Sequence, residues 1–221
     1  MTPIAPASEQ PDTFAFSADN LAAAKAFIAK YPDEYQASAV LPLLDLAQRQ
    51  NDGWLPQAAL EYVADFLGMP SIRVFEVATF YTMLNLAPVG RHHVQVCTNI
   101  SCWLRGADTI VEACRNTLGI SFGETTQDGL FTLSEMECLG ACVNAPMMQI
   151  NDDYYEDLDA GSTQVILGTL KDGGTPKSGS QIGRKTCEPL GGLTSLTDDA
   201  KTAGNTPGKS KKPSARKRKG A

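Results

Sequence analysis

The sequence predicts an α/β protein in which a helical bundle precedes a small domain of strands and helices, with an irregular tail after both. Apolar residues first recur with helical spacing, then alternate as in a strand from Arg91 onward. Beyond Lys171, Gly, Pro, Ser, Thr and Lys dominate, a composition that does not build a core. The expected units are a flexible N-terminus over 1–15, a helical bundle over 16–90, an α/β domain over 91–172 and a C-terminal segment over 173–221.

Four helices are expected in the bundle. Pro56 suits the first position of a helix, where its missing N–H costs nothing, and Gly68 suits a helix end. Ser71 is the expected N-cap of the fourth helix, and the aromatic residues Phe75, Phe80 and Tyr81 are expected in the core. The predicted helices span 19–30, 37–50, 56–68 and 71–83. The acidic character of this region opposes a DNA-reading helix pair, so no nucleic-acid partner is expected.

The second domain is expected to hold four strands and two helices. The predicted strands are 93–96, 130–133, 147–150 and 154–156, and the predicted helices are 106–118 and one capped by Ser162 that ends at 170. Residues 151–153 favour a turn, so the last two strands form an antiparallel hairpin. The order strand, helix, strand, strand, strand, helix is that of a thioredoxin-like α/β sandwich.

Charge is distributed unevenly along the chain. The net charge of −6 combines −14 over residues 1–170 with +8 over residues 171–221. The basic run at 209–219 is expected to be solvated and disordered, with contact to an acidic partner, RNA or lipid headgroups as the alternative. It contains no aromatic residues, which gives no support to nucleic-acid binding. No apolar run reaches the roughly 18 residues that span a bilayer, and no signal or transit peptide is recognisable. The expected location is a reducing cytoplasm, where clustered cysteines more often bind metals than form disulfides.

Four of the six cysteines form two closely spaced pairs. Cys97 and Cys102 make a C-x4-C pair after the first strand of the second domain, and Cys138 and Cys142 make a C-x3-C pair between its second and third strands. In a thioredoxin-like sheet both loops lie at one end, so the pairs can meet. Four thiolates in two pairs suit a [2Fe–2S] cluster, with one pair on each iron. Structural zinc uses similar spacings, so both metals stay open at this point.

The neighbours of these cysteines fit a cluster site. Gly140 lets the backbone approach the inorganic sulfides.

Cys114 lies on an apolar helix face and is expected in the core, whereas Cys187 is expected to be a free thiol. His92 and His93 are expected to pack rather than bind metal, and Pro146 is a candidate for a cis bond. The apolar residues expected to control water access are Ile100, Trp103, Leu139 and Val143.

Longer motifs resemble a known family, the thioredoxin-like [2Fe–2S] subunit of the NADH-dehydrogenase module of respiratory complex I. The matching stretches are 53–56, 77–83, 94–97, 137–146, 151–156 and 187–196. The resemblance implies that Cys97, Cys102, Cys138 and Cys142 are the cluster ligands. It also implies a one-electron carrier that exchanges electrons with FMN on a partner flavoprotein, which binds NADH. Residues 176–196 are implied to run across that partner.

The resemblance also implies a place in the cell, namely the peripheral arm of a complex on the cytoplasmic side of the inner membrane. No nucleotide-binding glycine motif is present, and no catalytic residue is expected on this chain. The alternative within the same domain family is the diaphorase subunit of an NAD-linked hydrogenase or formate dehydrogenase. The alternative of a different class is a zinc-stabilised interaction module.

Overall fold

The computed structural model of the chain describes residues 9–195. Four helices form the N-terminal unit: α1 (Ala18–Ile28), α2 (Val40–Gln50), α3 (Gln57–Leu67) and α4 (Ser71–Phe80). The remaining elements are β1 (His92–Cys97), α5 (Ile100–Leu104), α6 (Ala107–Leu118), β2 (Phe131–Met136), β3 (Met148–Ile150), β4 (Asp153–Glu156), α7 (Ala160–Lys171) and β5 (Gly179–Ser180). Short 3-10 turns cover Gln36–Ala39 and Cys142–Asn144. Within residues 9–195, no helix is both long and apolar enough to cross a membrane.

The four expected helices of the bundle are present, around a core of their own. Gly68 ends α3 in the left-handed conformation, with φ of +64°, as its position predicted. Part of the stretch expected to be flexible lies against the bundle, because Phe14 contacts the rings of Phe16 and Tyr62. Residues 1–8 lie outside the described residues.

Two expectations for α4 are wrong. Ser71 is the first helical residue and makes no capping hydrogen bond, since Pro70 occupies the cap position. Phe80 is 75% exposed and Tyr81 is also exposed. The buried face of α4 is formed by Val74 and Ala78, which are four residues apart and therefore on one side of the helix. Phe80 ends the helix away from that side.

The second unit is a five-stranded sheet in the order β2-β1-β3-β4-β5. β1 runs parallel to β2 and antiparallel to β3, and β3 and β4 form the expected hairpin. Val94 and Val96 face a core that includes residues of α6 and α7, among them Cys114, which is fully buried as expected. Ser162 is not the cap of α7: Asp159 holds that position, and Ser162 completes a capping box three residues later.

A groove separates the bundle from the other face of the sheet. It encloses about 940 Å³ and is lined by His93, Gln95 and Cys138, among others. Arg49 of α2 spans it with a two-pronged ion pair to Asp152, at 2.8 and 2.9 Å. Successive side chains of β1 lie on opposite faces of the sheet. Val94 and Val96 therefore face the core, and His93 and Gln95 line the groove.

The C-terminal segment begins with an element that the sequence did not predict. β5 pairs with β4 in parallel, so this part of the segment extends the chain's own sheet. Residues 196–221, which include the basic run at 209–219, lie outside the described residues.

Candidate metal centre

The first cysteine pair lies where β1 runs into a short helix. Cys97 ends β1, and Cys102 lies in α5, a helix absent from the sequence-based prediction. The Asn99 side chain accepts a 2.7 Å hydrogen bond from the backbone N–H of Ile100 and so starts this helix. Both thiols of the pair are buried, at 2% and 1% exposure. The helix turns Cys102 back toward Cys97.

The second pair lies in the loop after β2. Cys138 and Cys142 are exposed, and their sulfur atoms are 3.7 Å apart. Two thiolates on one tetrahedral metal, with bonds of about 2.3 Å, have their sulfurs about 3.8 Å apart. Gly140, between them, has φ of +84°, which a side chain would strain. The loop therefore holds its two sulfurs at the separation that one metal ion requires.

The two pairs meet at the carboxyl ends of the parallel strands β1 and β2. Cys97 lies opposite Met136, and its Sγ is 3.7 Å from the carbonyl oxygen of Glu137 in the second loop. Burial, followed by the neighbouring Cys97, raises the pKa of Cys102 to about 12, and the charge of Cys142 adds to this. A hydrogen bond with Cys138 raises the pKa of Cys142. The structure thus places the two pairs at the same end of the sheet, close enough for Cys97, Cys102 and Cys142 to interact electrostatically.

The arrangement of these thiols bears on the choice of metal. Within residues 9–195, no three or more His, Cys, Asp or Glu side chains are grouped to hold a single metal ion. The four thiols instead form one buried and one exposed pair. Two pairs match the two iron atoms of a [2Fe–2S] cluster, each with two thiolates.

Backbone and side-chain contacts fix the second loop. The hydroxyl of Tyr154 donates a 2.6 Å hydrogen bond to the carbonyl of Leu139. Burial raises the pKa of Tyr154, and the nearby Cys138 adds to the effect. The Ala145–Pro146 peptide bond is cis, as its position suggested. The spacing of the cysteines carries no signal for Tyr154, which lies on another strand.

The apolar residues around the site do not shield it in this chain. Ile100, Trp103 and Val143 are 69%, 59% and 64% exposed, whereas Leu139 is partly buried and packs against the core that contains Cys97 and Cys102. Ile100, Trp103 and Leu104 lie on one face of α5, and Val143 follows Cys142. We call these exposed apolar residues the α5 surface.

The remaining cysteine and histidine side chains lie outside this group of thiols. Cys187 is an exposed free thiol. His93 is buried, with Nε2 2.8 Å from the hydroxyl of Ser134, and the ring of His92 contacts that of Phe131. Both histidines therefore pack, as expected.

Comparison with known proteins agrees with this geometry. A family model described as thioredoxin-like [2Fe–2S] ferredoxin matches residues 24–171. A subunit of the NADH-quinone oxidoreductase of Rickettsia prowazekii is 60% identical over 155 residues, which cover 70% of this chain and 88% of that protein. NADH dehydrogenase (ubiquinone) flavoprotein 2, mitochondrial, of Dictyostelium discoideum is 50% identical over 185 residues, covering 84% of this chain and 75% of that protein.

A solved structure supports the fold alone. A chain in the crystal structure of an air-oxidised NAD⁺-reducing [NiFe]-hydrogenase aligns with a TM-score of 0.51 and 20% identity, over 59% of this chain and 23% of that chain. The family model and the close relatives each cover about two thirds or more of the sequence. The chain belongs to the thioredoxin-like [2Fe–2S] ferredoxin family.

Proposed function

We propose that the chain is the one-electron carrier subunit of an NADH:quinone oxidoreductase. Its cluster ligands are Cys97, Cys102, Cys138 and Cys142. The observation that carries this proposal is the meeting of two thiol pairs at the ends of parallel strands, with the second pair 3.7 Å apart. When bound, a [2Fe–2S] cluster supplies reversible uptake of a single electron.

The residues of this chain hold and orient the cluster and perform no acid–base step. Burial of Cys97 and Cys102 shields one side of the site, while Cys138 and Cys142 are exposed on the other. Electron exchange therefore takes place across the exposed side, where a partner can approach. No catalytic residue is assigned to this chain, because the hydride chemistry belongs to a flavin on another subunit.

The partner in this proposal is a flavoprotein that binds FMN and NADH. The α5 surface lies beside the exposed thiols and offers Trp103, the residue type most enriched at binding hot spots. Docking there would cover the second cysteine pair. We place the assembled subunit in the peripheral arm of a membrane complex, on the cytoplasmic side of the inner membrane.

Two other functions are less well supported. A hydrogenase or formate dehydrogenase diaphorase uses the same domain, but the hydrogenase structure shares only 20% identity, against 60% for the Rickettsia prowazekii relative. Copurification of tagged chain from its own cells decides between them, because the two complexes contain different subunits. A zinc module is less well supported, because the matching family is that of a [2Fe–2S] ferredoxin.

Spectroscopy of the purified chain tests the proposal. We expect brown protein that dithionite bleaches, with a rhombic EPR signal near g of about 2 and two iron atoms per chain. Cys138→Ala removes this signal, and the matched control Cys114→Ala keeps it, because Cys114 lies in the core away from the site. Colourless protein with one zinc ion, or loss of the signal only in Cys114→Ala, contradicts the assignment.

A further inference from the structure

Arg184 ties the C-terminal segment to the second cysteine loop. Its Nη2 donates a 3.0 Å hydrogen bond to the carbonyl of Val143, the residue after Cys142. Its Nε donates to Oδ2 of Asp157 at 3.0 Å, and Nη2 also forms an ion pair with that carboxylate. Nη1 donates to the carbonyl of Glu188 at 3.2 Å. One guanidinium thus joins the loop, the turn between β4 and α7, and the segment itself.

The ion pair lies out of solvent. The side chains of Arg184 and Asp157 are 11% and 5% exposed, so water and salt screen their attraction little. The Ser180 hydroxyl donates a 2.6 Å hydrogen bond to Asp157 and accepts one from the backbone N–H of Arg184. Burial opposes ionisation of Asp157, but hydrogen bonds from Arg184 and Ser180 outweigh it and lower its pKa. The carboxylate is therefore charged and fixed.

A second contact holds the same loop from the same side. Asn144, 3% exposed, donates from Nδ2 to the carbonyl of Thr186 at 2.6 Å and to Glu156 at 2.5 Å. Its backbone carbonyl accepts a 2.7 Å hydrogen bond from the N–H of Asp157. The two residues that follow Cys142 are thus bonded to the C-terminal segment, and the backbone that carries this thiol has little freedom.

We propose that Arg184 is a positioning residue for the cluster: by holding the carbonyl of Val143, it fixes the Cys142 thiol relative to Cys138. This inference rests on the proposed function, in which these two thiols bind iron. Replacing a group that orients a metal ligand typically costs about 10- to 100-fold in metal affinity. The C-terminal segment is accordingly part of the cluster site, although it contributes no ligand.

The experiment compares three full-length variants that carry the cluster. Arg184→Met removes all of the contacts, and Arg184→Lys keeps a charge beside Asp157 but lacks the planar group that reaches several acceptors at once. The control is Arg73→Met, which breaks an exposed Arg–Glu ion pair on α4, away from the groove that Cys138 lines. The measurements are the half-life of the visible absorbance under a chelator, the midpoint potential and the g values of the reduced cluster.

For Arg184→Met we expect cluster loss on the order of tenfold faster than in the wild type, with shifted g values and potential. Arg184→Lys shifts the same quantities by less, and Arg73→Met leaves them unchanged. A role in stability alone would lower the melting temperature but would not move the g values.

If Arg184→Met has the same g values, midpoint potential and half-life as the wild type, the inference is overturned and the proposed function stays intact. If circular dichroism shows that Arg184→Met does not fold, Arg184→Lys decides, and wild-type behaviour in all three measurements then overturns the inference. Absence of any two-iron signal in the wild type overturns both proposals together.

Discussion

The side-chain carbonyl of Gln48, in α2, accepts a 2.7 Å hydrogen bond from the backbone N–H of Asn85, beyond the end of α4. The amide of the same side chain donates to the carbonyl of Met83 at 3.0 Å. Asn85 in turn donates from Nδ2 to the carbonyl of Gly53 at 2.8 Å. Gln48 is 9% exposed. This buried polar side chain therefore connects the segment that follows α4 to helix α2, inside the bundle.

Replacing Gln48 by Leu leaves the Asn85 N–H and the Met83 carbonyl without their partner, at similar side-chain volume. We expect the free energy of unfolding in urea to fall by about 1–3 kcal/mol. Gln57→Leu is the control, because the exposed Gln57 side chain donates to exposed Glu61 and we expect its loss to change stability by no more than about 0.5 kcal/mol. Equal losses in both variants would contradict a special role for the buried side chain.

His93 makes stability depend on pH. Burial lowers the pKa of His93 from 6.5 to about 4, so the unfolded chain binds this proton more readily than the folded chain. The stabilisation present above pH 6.5 is therefore lost as the pH falls toward 4, and about 2 kcal/mol of it is gone at pH 5. His93→Gln lacks this contribution, so its unfolding free energy falls less between pH 7 and pH 5.

The control for this measurement is His92→Gln. His92 is only half-buried, and burial, followed by the charge of Arg91, lowers its pKa. Carboxylates titrate in the wild type and in both variants. The difference between the pH profile of a variant and that of the wild type therefore reports the replaced histidine alone. A pH profile of His93→Gln that coincides with the wild-type profile would argue against a neutral buried imidazole.

The six thiols should differ in reactivity according to burial and ligation. In protein stripped of iron, we expect rapid alkylation of the exposed Cys138 and Cys187, and slower alkylation of Cys142, because the hydrogen bond with Cys138 raises the pKa of Cys142. Cys102 and Cys114 react slowly, because burial raises the pKa of each to about 12 and little thiolate is present.

In protein that carries the cluster, Cys187 alone among the exposed thiols stays reactive. Mass spectrometry of the labelled peptides reads each site separately. Rapid labelling of Cys138 in the loaded protein would show that it is not a ligand.

The α5 surface should control partner binding. Trp103→Ala removes its largest side chain, and truncation of a hot-spot residue costs about 2 kcal/mol or more, which weakens association at least tenfold. Binding of purified flavoprotein by calorimetry measures this. Val165→Ala, which truncates an apolar side chain of similar exposure on α7, leaves affinity unchanged. Equal binding by wild type and Trp103→Ala would place the interface elsewhere.

Much of the fold follows from local patterns. The period-two alternation of 93–96 and the helical spacing of 106–118 predicted β1 and α6, because each pattern matches the period of its element. The convergence of the four thiols followed from topology, since the loops after two parallel strands share one end of a sheet. Spacing alone did not separate iron from zinc.

The missed features depend on contacts remote in sequence. α5 has five residues and β5 has two, too few for any periodicity to be visible. Phe80 was expected in the core because it is aromatic, but the buried face of α4 is decided by its neighbours in the bundle. The role of Arg184 rests on Val143 and Asp157, which the chain brings to it from 41 and 27 residues away.

The two-residue strand β5 covers the outer edge of β4 in the chain on its own. Without it, β4 would present unpaired backbone N–H and C=O groups, a template onto which a strand of another molecule can add. Gly179 and Ser180 occupy that position, and the N–H of Gln181 donates to the carbonyl of Glu156 at 2.9 Å. The segment that holds the second cysteine loop therefore also occupies the edge of β4, where a strand of another molecule could otherwise add.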